Sequence, residues 1–118
     1  RIPGTNKGAA YNLDARRKVA DLDLDATPNF SAGLTWERED KIYMAVPHQG
    51  GGAVSIVDMD KWRRIKTIPT AGPGRFIADD RNPDNLVLLI QSGPDKGLRQ
   101  MIDKDTLLIV ETIPAAKN

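Results

Sequence analysis

The chain has 118 residues, of which 40% are hydrophobic and 28% are charged. This is the length of one small domain and the composition of a globular rather than a disordered chain. The 17 basic and 16 acidic residues nearly cancel, so charge gives no reason to expect nucleic acid or an anionic membrane as a partner. No apolar run approaches the roughly 18 residues of a membrane-spanning helix.

Cysteine is absent and His48 is the only histidine. The missing thiols exclude disulfides, thiolate metal sites, iron–sulfur clusters and covalent c-type haem attachment within this chain. The single imidazole excludes any site that needs several histidines from this chain alone.

The first predicted strand is acidic. Asp21, Asp23 and Asp25 alternate with Leu22 and Leu24, and this period of two is typical of a β-strand rather than a helix. Three carboxylates on one strand face are chemically able to do acid–base work. They are more typical of an edge strand that is protected against pairing with another chain.

Three further strands are predicted between residues 42 and 68. Ile42–Val46 is a short apolar run, Ala53–Asp58 alternates between two faces, and Arg64–Ile68 alternates between polar and apolar residues. Gly50–Gly52 separates the first two runs. Three glycines offer backbone N–H groups to an anion, but the Lys and Ser or Thr of a phosphate-binding loop are missing, so we predict a hairpin loop.

The segment Val57–Pro69 is repeated 45 residues later as Ile102–Pro114. Both copies contain an Asp-x-Asp sequence and the sequence Thr-Ile-Pro, and the Asp-x-Asp sequence predicts a tight polar turn between two strands. The same offset places Ile42–Val46 on Val87–Gln91, and Leu86–Ile90 is predicted to be the second buried strand.

The loop Asp80–Asn85 carries oxygen-bearing residues at alternate positions, as a calcium loop does. It lacks the glycine and the final glutamate that such a loop requires. We therefore predict a proline-containing turn between strands.

A repeat of about 45 residues with four short strands is the size of one β-propeller blade. We therefore predict an all-β fold, with the back half of a blade in residues 1–29 and whole blades in residues 30–74 and 75–118. The alternative is a small β-sandwich with an accidental repeat. A closed ring needs about four to eight blades, so we expect the remaining blades to come from a longer chain or from identical copies. The start at Arg1 rather than Met is in keeping with a processed or excised chain.

Three segments resemble the haem d1 propeller family, which includes the d1 domain of cytochrome cd1 nitrite reductase and proteins of haem d1 biosynthesis, the dihydro-haem d1 dehydrogenase branch above all. They are Ile56–Ile68, Thr70–Ile77 and Met101–Leu107. The stretch from Trp62 to Phe76 is the most specific, because the Ile-Asp-x-x-Thr element occurs in all YVTN-type propellers. The resemblance implies a propeller with haem d1 in its central channel, held by Arg and Lys on its carboxylates and by His near the iron.

The histidines that the resemblance implies are mostly replaced. The family's Thr-Pro-His segment reads Thr-Pro-Asn here, so Asn29 takes the place of one histidine, and Asp80 stands near the place of another. An amide cannot act as a proton donor near neutral pH as imidazole can. These replacements put nitrite reduction in doubt and weaken the expectation of haem d1 binding.

Two residues remain as candidates for a cofactor site. His48 aligns with a family element of the type Ser-His-x-Gly, which makes it a candidate cofactor-binding residue and metal ligand; the alternative is a loop histidine before the glycines. Arg75 lies in a loop that aligns with a family pocket loop, which makes it a candidate partner for a cofactor carboxylate. Arg63 and Arg64, beside Trp62, are predicted to be structural.

Two functions follow as hypotheses. The first is part of a periplasmic haem d1-type propeller that takes part in the binding or the redox processing of a tetrapyrrole. The process would be either nitrite reduction in denitrification or haem d1 biosynthesis. A c-type cytochrome is a candidate partner. Any catalysis would be that of an oxidoreductase. The second is a non-catalytic YVTN-type module that serves as a binding surface. Haem d1 is the cofactor that the resemblance implies, while a chain with no cofactor is equally in keeping with these residues.

Overall fold

The computed structural model describes residues 28–78 and 82–115. Within these ranges the regular structure is β-strand, apart from one short 3-10 turn. The elements are, in chain order, the turn Phe30–Ala32 and the strands β1 (Leu34–Arg38), β2 (Lys41–Pro47), β3 (Ala53–Asp58), β4 (Arg63–Pro69), β5 (Gly74–Ile77), β6 (Asn85–Ile90), β7 (Arg99–Asp103) and β8 (Ile109–Ile113).

The predicted all-β fold is confirmed. The predicted strands at 42–46, 53–58, 64–68 and 86–90 are β2, β3, β4 and β6, with ends that agree to one residue. The predicted acidic strand, and all of the predicted half blade (residues 1–29) except Pro28 and Asn29, lie outside the described residues. Asp80 lies outside them as well. The three glycines form the hairpin loop between β2 and β3, as predicted.

The strands form two four-stranded antiparallel sheets. β1 to β4 form the first sheet and β5 to β8 form the second, and in each sheet neighbours in sequence are neighbours in space. This meander is the architecture of a propeller blade. In both sheets a β-bulge interrupts the pairing of the last two strands, at Ile56/Val57 and at Met101/Ile102.

The pairing register confirms the 45-residue repeat for β3 and β7 and corrects it for β2 and β6. Asp58 and Asp103 occupy equivalent positions, 45 residues apart, at the ends of β3 and β7. The placement of Ile42–Val46 on Val87–Gln91 is wrong. Ala45 pairs with Ile56 as Val87 pairs with Met101, so the true offset of β2 and β6 is three residues shorter, because residues 91–98 form a longer loop than residues 48–52.

The main core lies between the two sheets. Side chains from one face of the first sheet, Trp36, Ala45, Val54, Ile56 and Ile68, pack in one cluster with Phe76, Leu86, Leu88, Ile90 and Ile102 from the second sheet. A smaller cluster of Met44, Val46, Val57 and Met59 lies on the other face of the first sheet. Successive side chains of a strand point to opposite faces, which explains why nearly every residue of β3 is buried.

Gly74, the first residue of β5, has no room for a side chain. A Cβ atom on Gly74 would lie 2.5 Å from the carbonyl oxygen of Leu89 on the neighbouring strand. Glycine therefore permits the close pairing of β5 with β6. None of the elements in residues 28–78 and 82–115 is a helix long and apolar enough to cross a membrane.

Candidate functional site

The meander divides the loops between two opposite ends of the sheets. Alternate connections of an antiparallel meander lie at the same end. Residues 28–29, 48–52, 70–73 and 91–98 therefore share one end, which we call the His48 end. Residues 39–40, 59–62, 82–84 and 104–108 share the other, which we call the Arg38 end.

His48 follows β2 directly and is buried, with 6% of its surface exposed. Its backbone N–H donates to the carbonyl of Ala53 at 3.0 Å, which fixes the residue at the mouth of the hairpin. Its Nε2 lies 2.7 Å from the Oγ of Ser55 in a hydrogen bond, and Ser55 is fully buried. Both polar groups are buried, and they satisfy each other by this hydrogen bond, as a stable protein interior requires. A metal ion could bind Nε2 only after the bond to Ser55 is broken.

Asn29 lies beside His48. The preceding residue, Pro28, forms an isolated β-bridge with His48, and the Asn29 N–H donates to the Pro47 carbonyl at 2.8 Å. The Asn29 Oδ1 accepts a hydrogen bond from Ser31 Oγ at 2.9 Å. The residue that replaces a family histidine and the one histidine of the chain are thus brought together at the His48 end.

The prediction that Arg75 lies in a loop is wrong: Arg75 lies on β5, the first strand of the second sheet, and pairs with Leu89. Its neighbours Gly74 and Phe76 are buried, whereas Arg75 is exposed. No described residue forms a hydrogen bond or ion pair with its guanidinium. The turn Phe30–Ala32 lies beside both β2 and β5, so the start of β5 is close to the segment that carries Asn29.

The Arg38 end holds a charged cluster that sequence reasoning missed. Arg38 donates from Nε and Nη2 to the two carboxylate oxygens of Asp105, at 2.6 and 2.7 Å, and from Nη1 to Asp84 at 3.1 Å. These bonds join the first sheet to the second. They raise the pKa of Arg38 above its ordinary value, and the Arg38 guanidinium lowers the pKa of Asp105. We call these three residues the Arg38 cluster.

No sequence signal marked this cluster. Asp105 was identified only as the second acid of an Asp-x-Asp turn, and its counterpart Asp60 has a different role, since it accepts a hydrogen bond from the Ile42 N–H of its own sheet at 3.3 Å. Asp84 lies in the loop before β6, which the repeat does not reproduce.

A cleft of about 210 Å3 lies beside the Arg38 cluster, and Trp36, Tyr43, Ile65 and Leu107 form its apolar lining. The rings of Trp36 and Tyr43 stack with centroids 5.5 Å apart. The indole N–H of Trp36 is buried and has no hydrogen-bond partner among the described residues. Neither His48 nor Arg75 lines this cleft, so the two candidate residues belong to a separate region.

The described residues form no metal centre by themselves. Across residues 28–78 and 82–115, no group of three or more His, Asp and Glu side chains is close enough to hold a metal ion. The role of His48 as a cofactor or metal ligand stays a prediction, and so does the role of Arg75.

Comparison with known proteins identifies the family. The model of the cytochrome D1 heme domain family matches residues 4–118. The chain belongs to this family. A curated relative, the dihydro-heme d1 dehydrogenase of Pseudomonas aeruginosa strain PAO1, is 28% identical over 106 residues, which are 90% of this chain. Among solved structures, dihydro-heme d1 dehydrogenase NirN in complex with DHE is similar over 82% of this chain, with a TM-score of 0.72 and 26% identity.

These matches confirm the predicted haem d1 propeller family and the propeller-blade fold. The chain spans about a fifth of each relative, 22% of the curated protein and 21% of the solved chain.

Proposed function

We propose that this chain is part of a longer, periplasmic haem d1-type propeller that binds a d1-type tetrapyrrole and takes part in its redox processing. The single observation that carries the proposal is the similarity of 82% of the chain to a dihydro-heme d1 dehydrogenase solved in complex with DHE. At 26% identity and a TM-score of 0.72, the likeness extends to sequence as well as fold. Haem d1 biosynthesis is favoured over nitrite reduction, because both relatives are dihydro-heme d1 dehydrogenases.

Arg75 is the described residue that fits the tetrapyrrole best. Its guanidinium is exposed, unpaired among the described residues and located on the first strand of its sheet. A planar guanidinium binds a carboxylate through two parallel hydrogen bonds. Arg75 would therefore bind and orient a carboxylate of the tetrapyrrole, whereas the redox chemistry would be supplied by the bound group.

His48 fits the iron less well. Its Nε2 is already bonded to Ser55 inside the fold, and breaking a buried hydrogen bond costs about 1–3 kcal/mol. We propose that His48 first of all holds the corner formed by Pro28, Asn29 and the β2–β3 hairpin. Coordination of iron by His48 would require this corner to rearrange.

The test is an absorption titration of the protein that contains this chain, freed of cofactor, with haem d1 and with dihydro-haem d1. We expect a saturable spectral change with at least one of them. R75Q should weaken binding about tenfold or more, since one charge-assisted hydrogen-bonding group is lost. The matched control is R63Q on β4, which removes an exposed arginine from the fourth strand instead of the first. A protein that stays colourless with both tetrapyrroles would contradict the proposal.

The second candidate function is a non-catalytic YVTN-type module that acts as a binding surface. The specific observation in its favour is that the His48 and Asn29 side chains are both bonded to serines of the chain itself. The absorption titration separates the two functions, because a module without cofactor stays colourless with both tetrapyrroles. If a tetrapyrrole binds, its spectrum in S55A and H48Q separates the two roles of His48. An iron ligand predicts an altered spectrum in H48Q alone, whereas a structural His48 predicts lower stability in both variants and an unchanged spectrum.

A further inference from the structure

The second sheet carries arginine at a position where the first sheet carries buried valine. In the register, Val54 of β3 pairs with Pro47 and Ile68, and Arg99 of β7 pairs with Leu89 and Ile113. Val54 and Arg99 are therefore equivalent, and so are their cross-strand neighbours. The row containing Val54 is buried, with Val54 0% and Ile68 4% exposed, whereas Leu89, Arg99 and Ile113 are only half-buried.

What covers the row in the first sheet is the second sheet. Val54 and Ile68 belong to the cluster that joins the two sheets. The equivalent face of the second sheet points away from that cluster, because Leu88 and Ile102 on its other face already fill it. We call this face the Arg99 face. It is formed by Ile77, Val87, Leu89, Met101 and Ile113 with Arg99 among them, and Arg75 lies at its outer edge on β5, opposite Leu89.

The Arg99 face has the residue pattern of a face that packs against another sheet, because its apolar residues occupy the same positions as those of the covered face of the first sheet. Ile77, Met101 and Ile113 stand where the first sheet has Leu34, Ile56 and Ile68. None of these apolar residues joins either hydrophobic cluster of the described structure. Val87 and Met101 on this face are buried, each 2% exposed, whereas Ile77, Leu89 and Ile113 are half-buried. Half-buried apolar residues grouped on one sheet face mark an interaction surface.

Arg99 determines the chemistry of what covers this face. No described residue forms a hydrogen bond or ion pair with its guanidinium, although Glu111 is its diagonal neighbour across β7 and β8. A guanidinium covered by an apolar surface would lose its hydration without compensation, which is strongly unfavourable. The interface between the two sheets shows one solution, because Arg38 of the first sheet is neutralised there by Asp84 and Asp105 of the second.

In a propeller the next blade is the expected occupant of such a face. We propose that this blade, a further four-stranded sheet of the same longer protein, presents an Asp or Glu carboxylate to Arg99. The relatives are about four times as long as this chain, so sufficient chain exists to supply the sheet. The inference rests on the proposal that the chain is part of a longer propeller. It is independent of tetrapyrrole binding and is tested on protein without cofactor.

The decisive variant is R99V in the protein that contains this chain, which copies Val54 of the first sheet. It leaves the docked carboxylate buried and unpaired, so we expect a lower Tm at pH 7 than in the wild-type protein. The difference should shrink towards pH 4 and disappear only as the pH falls below about 4, through the lowered pKa of the carboxylate paired with Arg99 in the wild-type protein. R99K should restore part of the loss, because an ammonium group keeps the charge without the planar geometry. The matched control is R63V, an exposed arginine on β4, for which we expect no change.

Arginine labelling with phenylglyoxal, read by mass spectrometry, provides a second measurement on the unmodified protein. We expect labelling of Arg99 to be at least about tenfold slower than that of Arg63, since it requires local opening of the covered face. Equal labelling would show that nothing covers the face and would overturn the proposal. So would an R99V variant as stable as wild type or more so, because that is the outcome for an apolar partner. A protected Arg99 in a protein whose denatured mass is 13.0 kDa would identify a second copy as the partner and overturn it also.

Discussion

The two sheets have nearly the same backbone but use it for different purposes. Asp58 and Asp103 cap equivalent turns, and the Oδ1 of each accepts hydrogen bonds from two backbone N–H groups, at 2.9 and 3.1 Å in the first sheet and at 2.8 Å twice in the second. Trp62 and Leu107, also equivalent, have φ values of 52° and 58°. Turn geometry and the bulge are thus constant features of the repeat.

The polar groups buried on the sheets differ. Ser55 is bonded to His48 within the first sheet. Gln100, the equivalent residue of the second sheet, accepts a hydrogen bond at 2.8 Å from the N–H of Ala71, in the connection between the sheets. The repeat therefore preserves a buried polar position but changes its partner. The difference teaches that backbone hydrogen bonds define the blade, while side chains at equivalent positions are available for specific contacts.

The largest expected effect comes from the core that the two sheets share. I56A and L88A each remove a fully buried side chain from the cluster between the sheets, and each should lower the free energy of unfolding by about 2–5 kcal/mol. Chemical denaturation followed by tryptophan fluorescence checks this. V110A is the control, because Val110 is 56% exposed, and its effect should be within about 0.5 kcal/mol.

This experiment also tests whether the sheets are one cooperative unit. Both variants should shift a single transition, since residues of both sheets form one cluster. Two separate transitions, with I56A changing only one of them, would mean that each sheet unfolds on its own.

A smaller effect separates the two buried polar pairs. S55A leaves the imidazole of His48 without its Ser55 partner in a buried site, and we expect a loss of about 1–3 kcal/mol. Q100L removes the acceptor of the half-buried Ala71 N–H but adds apolar volume next to the core, so its loss should be smaller, about 1 kcal/mol. Equal losses in thermal unfolding would show that the two equivalent positions are not specialised.

The sequence alone predicts the elements whose structure depends on neighbouring residues in the chain. Alternation predicted the strands, and the repeated Asp-x-Asp sequence predicted the turns of Asp58 and Asp103, because an Asx residue bonds to N–H groups two and three residues further along the chain. The register of β2 against β6 could not be derived in this way. It depends on the loops at 48–52 and 91–98, whose length difference breaks the constant offset.

The contacts between the two sheets also could not be predicted from the sequence. Arg38 and Asp105 are 67 residues apart in the chain, and nothing local connects them. His48 and Arg75 were found through resemblance to the family. The structure adds that the histidine side chain is bonded to Ser55, which no pattern in the sequence indicated.

The smallest expected effect concerns acid stability and distinguishes the causes of two shifted carboxylates. The pKa of Asp103 is lowered mainly by the backbone N–H groups of Thr106 and Asp105, whereas the pKa of Asp105 is lowered mainly by Arg38. A carboxyl group with a lowered pKa in the folded state stabilises the fold above its unfolded value of about 4. That stabilisation is lost as the pH falls from about 4 through the lower folded pKa.

R38Q should remove the part of this acid sensitivity that belongs to Asp105 and leave the part that belongs to Asp103. Measured as Tm against pH between about 2 and 7, the variant should be less stable than wild type at neutral pH, and the two curves should converge at the acid end. E37Q, a neighbouring exposed residue on β1, is the control and should keep the wild-type slope. Parallel curves for R38Q and wild type would mean that the bond from Arg38 to Asp105 does not stabilise the contact between the sheets, and that the apolar cluster and the remaining hydrogen bonds, such as that from Lys66 Nζ to the Leu107 carbonyl, hold them together.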